Sequence, residues 1–217
     1  MAEYTIRKVD DFTVDADPDK DTWQGVPSLP IDVYRWYKSG KKQDTEVKVV
    51  YSDTAVYCLF ACQDKHISAE RRELNGPVCR DSCVEFFATV EPDKQPHYFN
   101  LEMNCCGQLH LGWGPERGED RKLVSPELAR KIEIASTVPG QTKTDSPEDD
   151  GWVLEVKLPF EVLRQHCGYT FTGSGTVWKA NFYRCGGTDD QYASTFPIEL
   201  PKPDFHRPEF FQPIVFE

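Results

Sequence analysis

No stretch of this 217-residue sequence approaches the roughly 20 apolar residues that a membrane-spanning helix needs. Basic residues never run beyond pairs such as Lys41-Lys42, and the formal net charge is −11. Phosphate backbones and anionic membranes are held by grouped Lys and Arg, so neither nucleic acid nor a membrane is an expected partner. Cys-x-x-Cys spacing is also missing, which removes zinc ribbons and thioredoxin-like redox sites. There is no internal repeat and no low-complexity tract. The opening residues, Met-Ala-Glu-Tyr-Thr-Ile, contain no apolar h-region. The expected location is therefore cytoplasmic, or extracellular if a leader has been removed.

What is present reads as β structure. Short apolar or alternating runs recur between clusters of Gly, Pro, Asn and Asp. They predict strands at Glu46–Tyr51, Ala55–Gln63, Ser82–Val90, Tyr98–Cys105, Gln108–Trp113, Arg130–Val138, Trp152–Leu158, Val177–Arg184 and Glu209–Phe216, with a further one near Tyr4–Val9. One short helix is expected, opened by Pro159 and stopped by Gly168. The length suits a single domain over residues 1–217 with its own core. The fold class predicted is all-β, an antiparallel β-sandwich of about nine or more strands. The eight cysteines include Cys58 and Cys62 inside an apolar run, where Cys packs as a small hydrophobe. Free buried thiols are expected.

Side chains along a strand change face with period two. Phe99, Leu101 and Met103 therefore share one face and Asn100, Glu102 and Asn104 the other. The same reading places Val84 and Phe86 inward and Glu85 outward, Trp178, Ala180 and Phe182 inward, and Asn181 and Tyr183 outward. In Trp152–Leu158, Glu155 points away from the core. If these strands share a sheet, its outer face gathers Glu85, Asn100, Glu102, His110, Glu155, Asn181 and Tyr183. Amides supply donors and acceptors together, and carboxylates accept from hydroxyls, so such a face suits a sugar. The bland alternative is a polar face covered by water or by the N-terminal segment.

Five segments carry a resemblance. Val78-Cys79-Arg80-Asp81-Ser82-Cys83-Val84-Glu85-Phe86-Phe87, Tyr98-Phe99-Asn100-Leu101-Glu102-Met103-Asn104 and Trp152-Val153-Leu154-Glu155-Val156-Lys157-Leu158-Pro159-Phe160 stand in that order. Trp178-Lys179-Ala180-Asn181-Phe182-Tyr183-Arg184 and Phe205-His206-Arg207-Pro208-Glu209-Phe210-Phe211 follow them. Together they resemble the family 9-like carbohydrate-binding modules, from about residue 15 to the C-terminus. The resemblance implies a β-sandwich that binds sugar without transforming it, often at the reducing end of a glycan, with calcium in some members. Carried over by position, it implies that Glu85, Asn100 and Asn181 meet sugar hydroxyls. Glu102 joins them from the polar face, with Tyr183 or Arg184 against the ring. The pattern departs at the tryptophan clamp of sugar-binding members: Cys79 stands at the first position and Arg184 at the second.

Three other readings follow from the residues. Paired carboxylates among Glu85, Glu102 and Glu155 would serve a glycoside hydrolase if they lay about 5–5.5 Å apart, or about 6.5–9.5 Å for inversion. The run Asp15-x-Asp17-x-Asp19-x-Asp21 is the one candidate for calcium, although it lacks the Gly and Glu of an EF-hand. No other cofactor is expected. His206 has a structural reading, pinning the closing segment by a hydrogen bond.

Overall fold

The computed structural model describes residues 4–118, 120–186 and 191–217. Thirteen strands are present: β1 (Tyr4–Lys8), β2 (Leu29–Pro30), β3 (Thr45–Tyr51), β4 (Ala55–Gln63), β5 (Cys83–Thr89), β6 (Tyr98–Asn104) and β7 (Leu109–Gly114), then β8 (Lys122–Leu123), β9 (Glu133–Ser136), β10 (Gly151–Pro159), β11 (Val177–Cys185), β12 (Ala193–Ser194) and β13 (Gln212–Phe216). Their hydrogen-bonded order is β8-β7-β6-β5-β11-β13-β1-β3-β4-β10-β9, with β12 beside β11 and β2 beside β3.

β1 joins the two halves. Tyr4–Ile6 pair with β13 and Arg7–Lys8 with β3, in both cases parallel. The sheet is therefore mixed, where the sequence pattern predicted an antiparallel one. Most of the other neighbours come from hairpins or antiparallel returns, which alternation and turn residues reveal. A strand at the start of the chain has no preceding hairpin to set its direction.

Among the described residues there are two α-helices. α1 (Pro126–Ala129) escaped the sequence reading, although Ser125 caps it by accepting from Leu128 N at 3.3 Å. α2 (Phe160–Cys167) follows Pro159 and ends at Gly168, whose φ of 79° is the left-handed turn that glycine adopts without strain.

Both halves of the sheet feed one core. Phe86, Phe99, Leu101 and Trp178 from one half meet Val49, Phe60, Trp152 and Leu154 from the other. Phe86 stacks on Phe182 at 4.8 Å between ring centroids, and Phe60 meets Phe182 edge-on at 6.4 Å. These are the inward positions that alternation picks out.

The outer faces are covered as well, each by a different stretch of irregular chain. On the β3–β4 side, Phe12 and Trp23 of the N-terminal segment pack on Tyr57, with Phe12 stacked at 4.3 Å. On the β5–β6–β11 side, Phe205 and Phe211 of the C-terminal segment pack on Phe87, Tyr98 and Tyr183. Every residue of β5 and β6 is consequently buried on both faces. The face expected to be open to water is roofed because three aromatic rings interrupt its polar residues. What remains open is a cavity beneath that roof.

Candidate functional site: a carboxyl-floored cavity

Pairing in register lays residues in rows across the outer face. One row runs Tyr183, Glu85, Glu102, His110. The next runs Asn181, Phe87, Asn100, Gly112. Glu85 and Glu102 are thus direct neighbours on adjacent strands. They form the floor of a cavity of about 330 Å³, together with Cys185. Cys79 and Arg80 line one side, Arg117 another, and Tyr192, Asp204, Phe205 and His206 the rest.

Glu85 is 2% exposed and Glu102 6%. Cys185 Sγ donates to Glu85 Oε1 at 3.1 Å. Asn100 Nδ2 donates to Glu102 Oε1 at 2.8 Å. Burial, and then the charge of Glu102, push the Glu85 carboxyl well above the usual carboxylate range. Burial and the two nearby carboxyls likewise push the Cys79 thiol up to about 12. His206 bonds Tyr98 Oη through Nδ1 at 2.9 Å and lies against the Phe87 ring. Burial, and after it the charges of Arg121 and Arg117, lower its pKa to about 3, so the imidazole is neutral.

The residues expected to touch ligand fall into three groups. Glu85 and Glu102 reach the cavity. Asn100 sits behind Glu102 and, at 1% exposure, acts on the cavity through that carboxyl. Asn181, Tyr183 and Arg184 are occupied elsewhere. The Asn181 amide clasps the roof, donating to Phe196 O at 3.0 Å and accepting from Phe196 N at 3.0 Å. Tyr183 stacks under Phe205 at 4.2 Å and donates its hydroxyl to Phe205 O. Arg184 projects from the opposite face, where Nη2 meets Asp64 Oδ2 at 3.1 Å and Nη1 donates to Thr45 Oγ1 at 2.8 Å. Trp152 Nε1 shares that Asp64 oxygen at 3.1 Å.

Glu155 does not join Glu85 and Glu102, so of the carboxylate pairs weighed among these three only Glu85 and Glu102 are neighbours. It stands on β10, in the other half of the sheet. There its carboxylate accepts from Asp15 N at 2.7 Å, Ala16 N at 2.9 Å, Trp23 Nε1 at 2.7 Å and Lys20 Nζ at 3.1 Å. Alternation assigned its face correctly but not its sheet. The same contacts decide the calcium candidate. Lys20 Nζ lies 2.7 Å from Asp15 Oδ1 and 2.6 Å from Thr13 O. Asp15 and Asp17 also accept from the backbone N–H groups of Asp17 and Asp19. This segment is organised around an ammonium group and does not fit a divalent cation. Among the described residues no group of three His, Cys, Asp or Glu side chains is placed to hold a metal ion.

Several cavity residues were not singled out from the sequence. Arg117 lies in the Gly114–Gly118 loop and Tyr192 in an irregular stretch, where no periodicity marks a side chain's direction. No tryptophan lines the cavity. Trp36 packs behind Phe205 at 5.9 Å and donates to Leu200 O.

An all-β scaffold thus carries a small cavity floored by carboxyls and lined by aromatic rings and guanidinium groups. The profile of carbohydrate-binding family 9 matches residues 18–216. The chain belongs to that family of carbohydrate-binding modules. Solved structures agree on the fold. A protein of Bacteroides uniformis ATCC 8492, described as a candidate carbohydrate-binding protein, is 26% identical over 99% of both chains with a TM-score of 0.86. A family 9 carbohydrate-binding module from Caldicellulosiruptor kristjanssonii was solved with glucose. It is 13% identical, covers 100% of this chain and 96% of that one, and gives a TM-score of 0.63. The same organism's module with cellotriose gives 13%, 100%, 94% and 0.65. No curated protein sequence matches the chain.

Proposed function

We propose that this chain is a β-sandwich module that holds the end of a saccharide in the cavity above Glu85 and Glu102, without transforming it. The observation that carries this reading is the buried, in-register carboxyl pair at the cavity floor. Carboxyl oxygens take hydroxyl donors in directions fixed by the strands beneath them. Arg80 and Arg117 would donate to sugar oxygens from the rim. Tyr192 and Phe205 would supply apolar surface for a ring, in place of a tryptophan clamp. Asn100 supports Glu102, while Asn181 and Tyr183 keep the roof in place. At about 330 Å³ the cavity is at the small end of ligand pockets, typically about 300–1,000 Å³. That size favours a chain end over a glycan lying lengthwise.

Glucose, bound by one structural relative, and cellotriose, bound by another, are the first ligands to titrate calorimetrically. Wild-type protein should bind at least one of them, and Glu102→Ala should weaken binding more than tenfold while remaining folded by circular dichroism. Unchanged affinity in folded Glu85→Ala and Glu102→Ala would remove the cavity floor from the site.

A further inference from the structure

Two carboxyl groups directly opposed across an antiparallel pair repel when both are ionised. In a dry site such a pair keeps a proton, and its surroundings decide which partner holds it. Here the surroundings differ sharply.

Glu102 has a fixed N–H donor. Asn100 Oδ1 accepts from Arg121 Nη2 at 2.7 Å and from Nε at 3.1 Å. A guanidinium only donates, so the Asn100 amide cannot turn over, and its NH₂ must face Glu102. Arg121 is itself held. It donates to Tyr98 O at 2.9 Å and Glu116 O at 2.9 Å, and its guanidinium carbon lies 4.3 Å from the centre of the Tyr98 ring. Gly112 makes room for this chain of contacts: a Cβ there would stand 2.7 Å from Asn100 Oδ1. The relay therefore presents a fixed N–H donor to Glu102 Oε1.

Glu85 has a weaker companion, the thiol of Cys185. On its own strand and the turn before it lie Cys83 and Cys79; on β11 it faces Tyr183. Desolvation, and after it the nearby carboxyls, raise the pKa values of the buried Cys83, Cys185 and Tyr183; the Cys79 thiol is raised as well, although Cys79 is exposed. From the roof come the neutral His206 and the Asp204 carboxyl. The rim cations are Arg80, which is exposed, and Arg117, 69% exposed at its side chain and 3.8 Å from Asp204. Neither is in an ion pair with Glu85.

Building on the saccharide reading above, we propose that the pair is a divided donor and acceptor. Glu85 offers the O–H of a neutral acid to a saccharide oxygen, Glu102 accepts from a saccharide hydroxyl as a carboxylate, and Arg121 and Asn100 are the positioning residues that set these roles. The raised pKa of Glu85 agrees with this division. The bound state then holds one proton on the pair. Raising the pH removes it to solvent and leaves two adjacent anions with no O–H to offer, so affinity falls at alkaline pH.

The test is glucose and cellotriose calorimetry from pH 5 to about pH 9.5, with infrared spectra of the ligand-free protein. Affinity should fall up to tenfold per pH unit once Glu85 ionises. Glu85→Gln replaces the O–H with an amide N–H that does not titrate, so it should flatten that fall. Glu102→Gln should lose more than tenfold. Asn100→Asp replaces the relay's N–H with a carboxylate and should shift the pH profile as well as the affinity. The neutral-pH infrared band of a protonated carboxyl should vanish in Glu85→Gln. A flat wild-type profile, or Glu85→Gln binding as poorly as Glu85→Ala, overturns the division. Missing infrared signal from the wild type overturns it without any ligand. Wild type that binds neither sugar at any pH while showing the band instead defeats the saccharide reading.

Discussion

Removing the Glu155 carboxylate tests whether this group, expected from the sequence to lie beside Glu85 and Glu102, anchors the fold instead. Glu155 has no exposed surface. Its two oxygens take two backbone N–H groups, an indole N–H and the Lys20 ammonium, all within 3.1 Å. Glu155→Ala would leave the Ala16 N–H and the Trp23 indole N–H buried without a partner, and Lys20, 17% exposed at its side chain, with Asp15 as its remaining counter-charge. Breaking a buried ion pair from one side costs about 3–5 kcal/mol. Hydrogen bonds to a charged group contribute about 1.5–3 kcal/mol each and do not add. Lys20 still touches solvent, so about 4 kcal/mol is the expected loss rather than the sum of the parts. In a chain of this size 1 kcal/mol moves Tm by about 2–4 °C, so the midpoint should fall by about 8–16 °C. Urea unfolding at constant m-value provides the free energy directly. Lys20→Met should cost less, because three N–H donors still satisfy the carboxylate. Sugar affinity measured below the new midpoint should match wild type. A loss under about 1 kcal/mol would refute the anchoring role. Retained stability with abolished sugar binding would return Glu155 to the site.

Three further outcomes follow from the same contacts. His206, held neutral with a pKa of about 3 against about 6.5 in the unfolded chain, makes the unfolded state bind more protons between those values. Its contribution is complete above about pH 6.5 and is lost as pH falls towards about 3, up to about 4–5 kcal/mol; His206→Gln should shrink the difference between urea midpoints at pH 7 and pH 4. Gly112→Ala drives a Cβ to 2.7 Å from Asn100 Oδ1 and 3.2 Å from Arg121 Nε. It should cost about 1–3 kcal/mol in thermal unfolding and weaken sugar binding through Glu102. Arg184→Met strips Asp64 of its buried partner and should destabilise by about 3–5 kcal/mol, yet leave calorimetric sugar affinity within twofold.

Alternation revealed what depends on one strand and missed what depends on two. Phe99, Leu101 and Met103 were legible as core because burying one face imposes period two on the strand itself. Glu85 and Glu102 were legible as outward residues for the same reason. Period two assigns a face but not a sheet, which is why Glu155 was grouped with them although β10 lies in the other half. Arg184 shows the rule correcting a resemblance. Tyr183 is outward, so its neighbour must turn inward, and Arg184 does, towards Asp64. Position in a family motif suggested a stacking role that the strand's own geometry does not permit. The roof was missed, although its signal was present. Phe87, Tyr98 and Tyr183 share the face of Glu85, Asn100 and Asn181, and rings of that size do not stay in water beside one another. A sheet face that mixes carboxyls with large aromatics is therefore better read as covered than as open. The cover converts Glu85 and Glu102 from surface charges into groups that compete for a proton.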